Sequence, residues 1–192
     1  MAVKTFTDNT ALPASDINTY LANSGLVFVK QVTVGSAVSS VDVTSCFNSS
    51  FSSYRIVLDQ ISASATLNLG ARMLSGTTPA TTAYYGLLTY ASVTVSGAYA
   101  SATDNNASAY SFVCSLGNGN YISAAFDLLN PYDTRETRLG PSAFIKTIGA
   151  TDIGTYVGTL FNSTSYDGIR FLPNAAQTLT GGTIMVYGYR EG

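Results

Sequence analysis

The run Gly181-Gly182-Thr183-Ile184-Met185-Val186-Tyr187-Gly188-Tyr189-Arg190 decides how this chain is read. β-branched and aromatic residues follow a Gly-Gly breaker, which is the composition of a strand. Side chains alternate along a strand, so Ile184 and Val186 point one way and Met185, Tyr187 and Tyr189 the other. Neither side is clearly polar. A strand apolar on both faces needs cover on both. The domain core supplies one cover; a loop, a second sheet or a neighbouring subunit must supply the other.

Working outward, the same pattern recurs through most of the chain. Strand-like runs are predicted at Val27 to Val34, Val38 to Thr44, Tyr54 to Ile61, Leu67 to Leu74, Tyr84 to Val95 and Tyr110 to Leu116. Further runs follow at Tyr121 to Leu129, Phe144 to Ile148, Thr155 to Phe161 and Gly168 to Leu172. Together with the last run this gives roughly nine to eleven strands with sandwich-like turn spacing. Gly117-Asn118-Gly119-Asn120 is the strongest hairpin signal. Ser96 to Ala109 is rich in Ser and Ala and lacks large apolar residues apart from Tyr99, so it reads as a long exposed loop.

The N-terminal part differs. Residues 1–11 are polar and read as an extended arm. Ser15 or Asp16 can cap a short helix that Gly25 ends, with Ile17, Tyr20 and Leu21 as a single apolar stripe. A helix this short is marginal alone, so the stripe must dock. It either closes one end of its own barrel or sandwich, or anchors onto a partner subunit. The division is therefore an arm and docking helix over residues 1–25 and one β-domain over residues 26–192, with no linker inside the latter.

The 192 residues are 46 % hydrophobic and only 10 % charged, against about 25 % charged in average proteins. Ser, Thr, Asn and Gly replace the missing charge, giving a surface that offers hydrogen bonds and little long-range field. The net charge of −2 excludes an electrostatic footprint for nucleic acid. No run reaches membrane-span length and no secretory h-region opens the chain. The expectation is synthesis in a cytoplasm, with any outside role reached by a route other than secretion. Cys46 and Cys114 are too few for a disulfide scaffold and read as buried free thiols.

The chemistry-bearing constellations are sparse. The chain has no histidine, which removes Ser/His and Cys/His nucleophile systems and His-bearing zinc sites. Its eleven acidic residues are thinly spread, a weak signal for glycoside cleavage. Asp104-Asn105-Asn106 offers too few oxygens for calcium and reads as a turn. No catalytic, metal or cofactor residue is assigned, and the chain reads as a non-enzyme. Asp133, Arg135, Glu136 and Arg138 form the one charge cluster. The plainer and preferred reading is a solvated loop with local ion pairs. The functional reading is a polar inter-subunit contact or a ligand-facing loop, with Arg135 and Arg138 offering planar donors.

Three stretches carry a resemblance. They are Met1-Ala2-Val3-Lys4-Thr5-Phe6 with Ala14 to Gly25, then Phe51-Ser52-Ser53-Tyr54-Arg55-Ile56-Val57-Leu58, and Gly182 to Arg190. Read together, they resemble small structural proteins of tailed bacteriophages of aquatic bacteria, described as tail-fibre or virion proteins. The match spans roughly a fifth of the chain, and its motifs are scaffold motifs. The resemblance implies a virion component, a trimeric β-sandwich or jelly roll released on lysis. The leading expectation is a homotrimeric tail-fibre or tail-tip protein that contacts a host surface glycan or protein. A capsid decoration protein is the alternative, and a carbohydrate-binding module the third. On the leading expectation Ile17, Tyr20 and Leu21 form the virion attachment face. Met185, Tyr187 and Tyr189 form the inter-subunit side, and Tyr99, Asp104 and Asn105 contact a ligand from a tip loop. Nucleic acid and membrane insertion are not expected.

Overall fold

Alternating apolar residues turn into antiparallel strands almost wherever they occur. The computed structural model describes residues 25–93, 99–116, 121–146 and 152–190. Among these it has no helix and fourteen strands. They are β1 (Leu26–Thr33), β2 (Val41–Val43), β3 (Ser53–Ala63), β4 (Leu67–Ser75), β5 (Thr78–Pro79), β6 (Tyr84–Ser92) and β7 (Tyr99–Ala107). After these come β8 (Tyr110–Leu116), β9 (Ile122–Leu129), β10 (Thr137–Lys146), β11 (Asp152–Leu160), β12 (Gly168–Pro173), β13 (Leu179–Thr180) and β14 (Thr183–Tyr189). The expected arm and helix, with Ile17, Tyr20 and Leu21, lie outside the described residues.

The strands form two antiparallel sheets. The nine-stranded sheet runs β1-β14-β3-β9-β10-β11-β6-β7, with β13 extending the β3 pairing. The five-stranded sheet runs β2-β12-β4-β5, with β8 also on β4. Side chains of both sheets meet in a single core that includes Tyr54, Ile56, Leu69, Met73, Phe126, Phe171, Ile184 and Val186. The run that opened the sequence reading becomes β14, an inner strand between β1 and β3. Ile184 and Val186 are fully buried, and Met185, Tyr187 and Tyr189 face outward, half-buried.

Two expectations are corrected. Residues 99–107 are not loop: they form β7, the edge strand paired with β6 from Tyr84↔Ala107 to Ala91↔Tyr99. An edge strand has one neighbour and a solvated face, so small polar residues suffice there and the composition imitates a loop. The strands flanking Gly117-Asn118-Gly119-Asn120 are not a hairpin either. β8 pairs with β4 in the small sheet, while β9 pairs with β3 and β10 in the large one. Turn chemistry permits a reversal, but burial chooses the partner. The second half of β8, Val113 to Leu116, is buried without alternation, so it belongs between layers rather than in a solvated ribbon. A smaller revision concerns β10, which begins at Thr137 and takes Arg138 into a strand.

Buried tyrosines tie the two sheets together. Tyr84 on β6 accepts the Met73 N–H of β4 at 2.8 Å. Tyr110 on β8 donates to the Thr137 carbonyl of β10 at 2.9 Å. Their rings meet edge to face at 4.8 Å. Asp104 of β7 accepts the Tyr156 hydroxyl at 2.6 Å and the Ser111 N–H at 2.9 Å. A buried hydroxyl without a partner would cost about 1–3 kcal/mol. These bonds remove that cost and fix one sheet on the other.

Candidate functional site

The outward face of the nine-stranded sheet divides into two halves of different chemistry. Over β1, β14, β3 and β9 several outward side chains pair with one another, while Leu26 and Phe28 at the β1 edge stay exposed. Phe28 packs edge to face on Tyr187 at 5.8 Å. The Tyr187 hydroxyl lies 3.4 Å from the Met185 sulfur. Tyr189 donates to Asp127 Oδ1 at 2.6 Å, and Arg55 reaches the same oxygen at 3.2 Å. Further along, Ser123 donates to Asp59 at 2.8 Å. Met185, Tyr187 and Tyr189 are thus held by their own sheet. Much of the second cover that the last strand requires comes from cross-strand neighbours, which sequence reading does not reveal.

Over β10, β11 and β6 the face stays open. Leu87 stands opposite Val157, Tyr85 opposite Thr159, and Ile153 opposite both Ala91 and Ile145. With Leu129 of β9, the side chains Tyr85, Leu87, Ile145, Ile153 and Val157 are each between 36 % and 49 % exposed. Thr89, Thr155 and Thr159 fill the positions between them, and the surrounding surface is nearly uncharged. The β10 register shifts between Leu139 and Ser142. There a shallow apolar depression forms, lined by Tyr85, Leu87, Leu129, Gly140 and Val157. β-branched and aromatic side chains in an uncharged pleated array suit contact with another protein surface, and not proton transfer.

The charge cluster resolves into local pairs. Arg135 Nε donates to Asp133 Oδ2 at 2.9 Å, and Arg138 Nη2 donates to Glu136 Oε1 at 2.6 Å. The pairs are largely exposed and contribute little. Glu136 is held below the usual carboxylate range by its own backbone N–H and by Arg138. Arg138 sits at the rim of the apolar depression.

The three candidate tip residues separate. Tyr99 is 91 % exposed at the start of β7. Asp104 points inward, 7 % exposed, with its oxygens taken by Tyr156 and Ser111. Asn105 is exposed at the shift in register between β6 and β7. Among the described residues no group of three or more His, Cys, Asp or Glu side chains gathers to hold a metal ion. Cys46 and Cys114 are free and buried, and desolvation pushes both thiols up from 9.0 to about 12.

Sequence reasoning missed the open face itself. Its signal was present in Tyr84-Tyr85-Gly86-Leu87-Leu88, a run apolar on both sides like the last strand. What it lacked was the position of β6 and β11 in the sheet, which leaves their outward side chains partly exposed among the described residues.

No protein-family model matches the chain, and no curated protein matches it. A comparison with solved structures returns a chain from the structure of infectious bursal disease virus, Gt strain, at 6 % identity and a TM-score of 0.15. The match spans 85 % of this chain and 41 % of that one. At that TM-score the likeness carries no argument.

Proposed function

We propose that this protein is a bacteriophage virion structural protein, a β-sandwich that works as a homotrimer in a tail fibre or tail tip engaged in host attachment. The observation that carries the assembly part is the open, uncharged apolar face over β10, β11 and β6. Side chains there remain more than a third exposed and neighbour one another across adjacent strands. A second copy of the chain would bury them, and hydrophobic burial is the main favourable term in such association. The two sheets sharing one core support the sandwich description. The virion attribution and the trimeric state rest on the resemblance of the three quoted stretches to phage structural proteins. A low-charge Ser/Thr/Asn surface suits a particle component.

Sedimentation velocity on the purified chain tests assembly. The expected species has three times the 20.1 kDa monomer mass. A monomer persisting at micromolar concentration would sink the reading. Peptide counting on purified particles tests the location. A few to tens of copies fit a tail, and hundreds would move the protein to the capsid as a decoration protein.

A further inference from the structure

The open half of the large sheet and the start of β1 lie at the same end of that sheet. One row of register partners crosses it: Val27, Gly188, Tyr54, Leu128, Leu139, Gly158 and Gly86. The last three of these also line the apolar depression. Two residues before Val27 the chain turns at Gly25, whose φ is +82°. The Gly25 carbonyl accepts the Arg190 N–H at 3.1 Å, which fixes the turn to β14. A left-handed glycine is the common stop of a helix, and the sequence predicts a short helix ending at this residue. That helix, with its stripe of Ile17, Tyr20 and Leu21, lies outside the described residues. Leu26 and Phe28, exposed at the β1 edge, continue the apolar surface beyond Gly25.

We infer that the apolar depression of one copy receives the N-terminal stripe Ile17, Tyr20 and Leu21 of a neighbouring copy. Reach decides between the chain's own stripe and a neighbour's. A helix rises about 1.5 Å per residue, so from Gly25 the stripe extends to about 6 Å at Leu21 and about 12 Å at Ile17. Strands lie about 4.8 Å apart, which puts Leu129 about 14 Å, Val157 about 24 Å and Leu87 about 29 Å across the sheet from β1. In its own chain the stripe stops over Tyr189, Arg55 and Asp127, polar groups already bonded to one another. It does not reach Val157 or Leu87. Symmetry points the same way. In a closed ring of three, each contact joins two different patches, not one patch to itself. The depression is one such patch. The stripe with the β1 edge is the other, at the opposite side of the sheet. The inference rests on the trimer reading and names the segment that makes the contact. It assigns Ile17, Tyr20 and Leu21 to the contact between copies and not to virion attachment.

Two measurements on the full chain test it. Ile17→Asp combined with Leu21→Asp should turn the trimer into a monomer in sedimentation velocity, with the circular dichroism spectrum retained. The double variant Tyr20→Cys with Leu87→Cys, treated with a flexible bismaleimide, should link between chains on a denaturing gel. Cys46 and Cys114 are buried and do not compete. Tyr20→Cys with Ser64→Cys, exposed between β3 and β4, should give no such links. If the Asp variant loses its spectrum, the cross-link decides. A trimer that survives both Asp substitutions overturns the inference and leaves the trimer reading standing. So does a Tyr20→Cys/Leu87→Cys chain that links only within itself while the unaltered protein sediments as a trimer. An unaltered chain that sediments as a monomer removes both.

Discussion

Tyr156 shows how single residues set this core. Its ring lies along the inner face of the large sheet, across Gly86 and Gly158, which are register partners on β6 and β11. A Cβ at Gly86 would overlap the Tyr156 hydroxyl, and one at Gly158 would come within 2.8 Å of the Tyr110 ring. The missing side chains are the space in which Tyr156 reaches Asp104. Gly86→Ala should therefore destabilise by about 1–3 kcal/mol through overpacking. Tyr156→Phe should cost a similar ~1–3 kcal/mol because Asp104 loses a donor while staying buried. Urea midpoints measure both; an unchanged midpoint in either would refute the arrangement. The thiols give a pH prediction. Burial raises Cys46 and Cys114 from 9.0 to about 12. A raised folded-state pKa means the unfolded chain releases these protons first. Stability is thus intact below pH 9 and falls as pH rises from 9 towards 12. Both thiols should resist a thiol reagent at pH 8 until the protein is unfolded.

At the scale of elements, the Gly-Gly pair and a shift in register act together. β13 and β14 are two pieces of one path along β3, broken at Gly181-Gly182. Opposite the break, Gln60 adopts φ +54° at the point where the β3–β9 register shifts between Leu58 and Ile61. Gly182 has φ +81°, and a Cβ there would overlap the Asp59 carbonyl oxygen. Gly182→Ala should then cost more than the ~1–2 kcal/mol of a left-handed residue alone. Gly76, at φ +61° with nothing within 4 Å, is the control. Gly76→Ala should show the conformational cost without the collision, and equal midpoint losses for the two variants would contradict the packing argument. The small sheet has its own cross-strand lock. Arg170 and Asp42 are register partners, joined by two bonds of 2.6 and 2.7 Å. That bidentate geometry holds the short β2 onto β12.

At the scale of the whole molecule, the asymmetry of the large sheet matters most. On one half of its outer face Phe28, Tyr187, Tyr189, Asp127 and Arg55 pair with one another across the strands. On the other half, over β10, β11 and β6, the apolar side chains have no such pairing among the described residues, and on the proposed reading a second copy covers them. Leu87→Asp combined with Val157→Asp should convert the proposed trimer to monomer in sedimentation velocity. Both side chains are partly exposed in the single chain, so its circular dichroism spectrum should be retained. Removal of residues 1–25 should leave the strands folded, because β1 begins at Leu26. On the virion reading, the same truncation should abolish incorporation into particles. A truncated chain that still assembles onto virions would refute the anchor.

Much of the fold was legible because period-two alternation is a local property of the chain. The bounds of β8 are those the residues predict, and β1, β3, β4, β12 and β14 differ from expectation by a few residues at most. Strand partners were not legible. The hairpin expected between β8 and β9 failed because pairing is decided by which faces must be buried together, a choice made across the whole chain. β7 was hidden because an edge strand needs little apolar surface of its own. The open face was invisible for a related reason: it exists where cover is missing among the described residues. What the sequence determined by itself was the all-β character, the inward set of Ile184 and Val186, and a surface with little charge. The tertiary structure alone decided which outward residues find cover in their neighbours, as Tyr189 does on Asp127, and which are left in water, as Leu87 and Val157 are. The physical reason is that exposure depends on what lies beside a residue in space, and a strand's spatial neighbours come from distant parts of the chain.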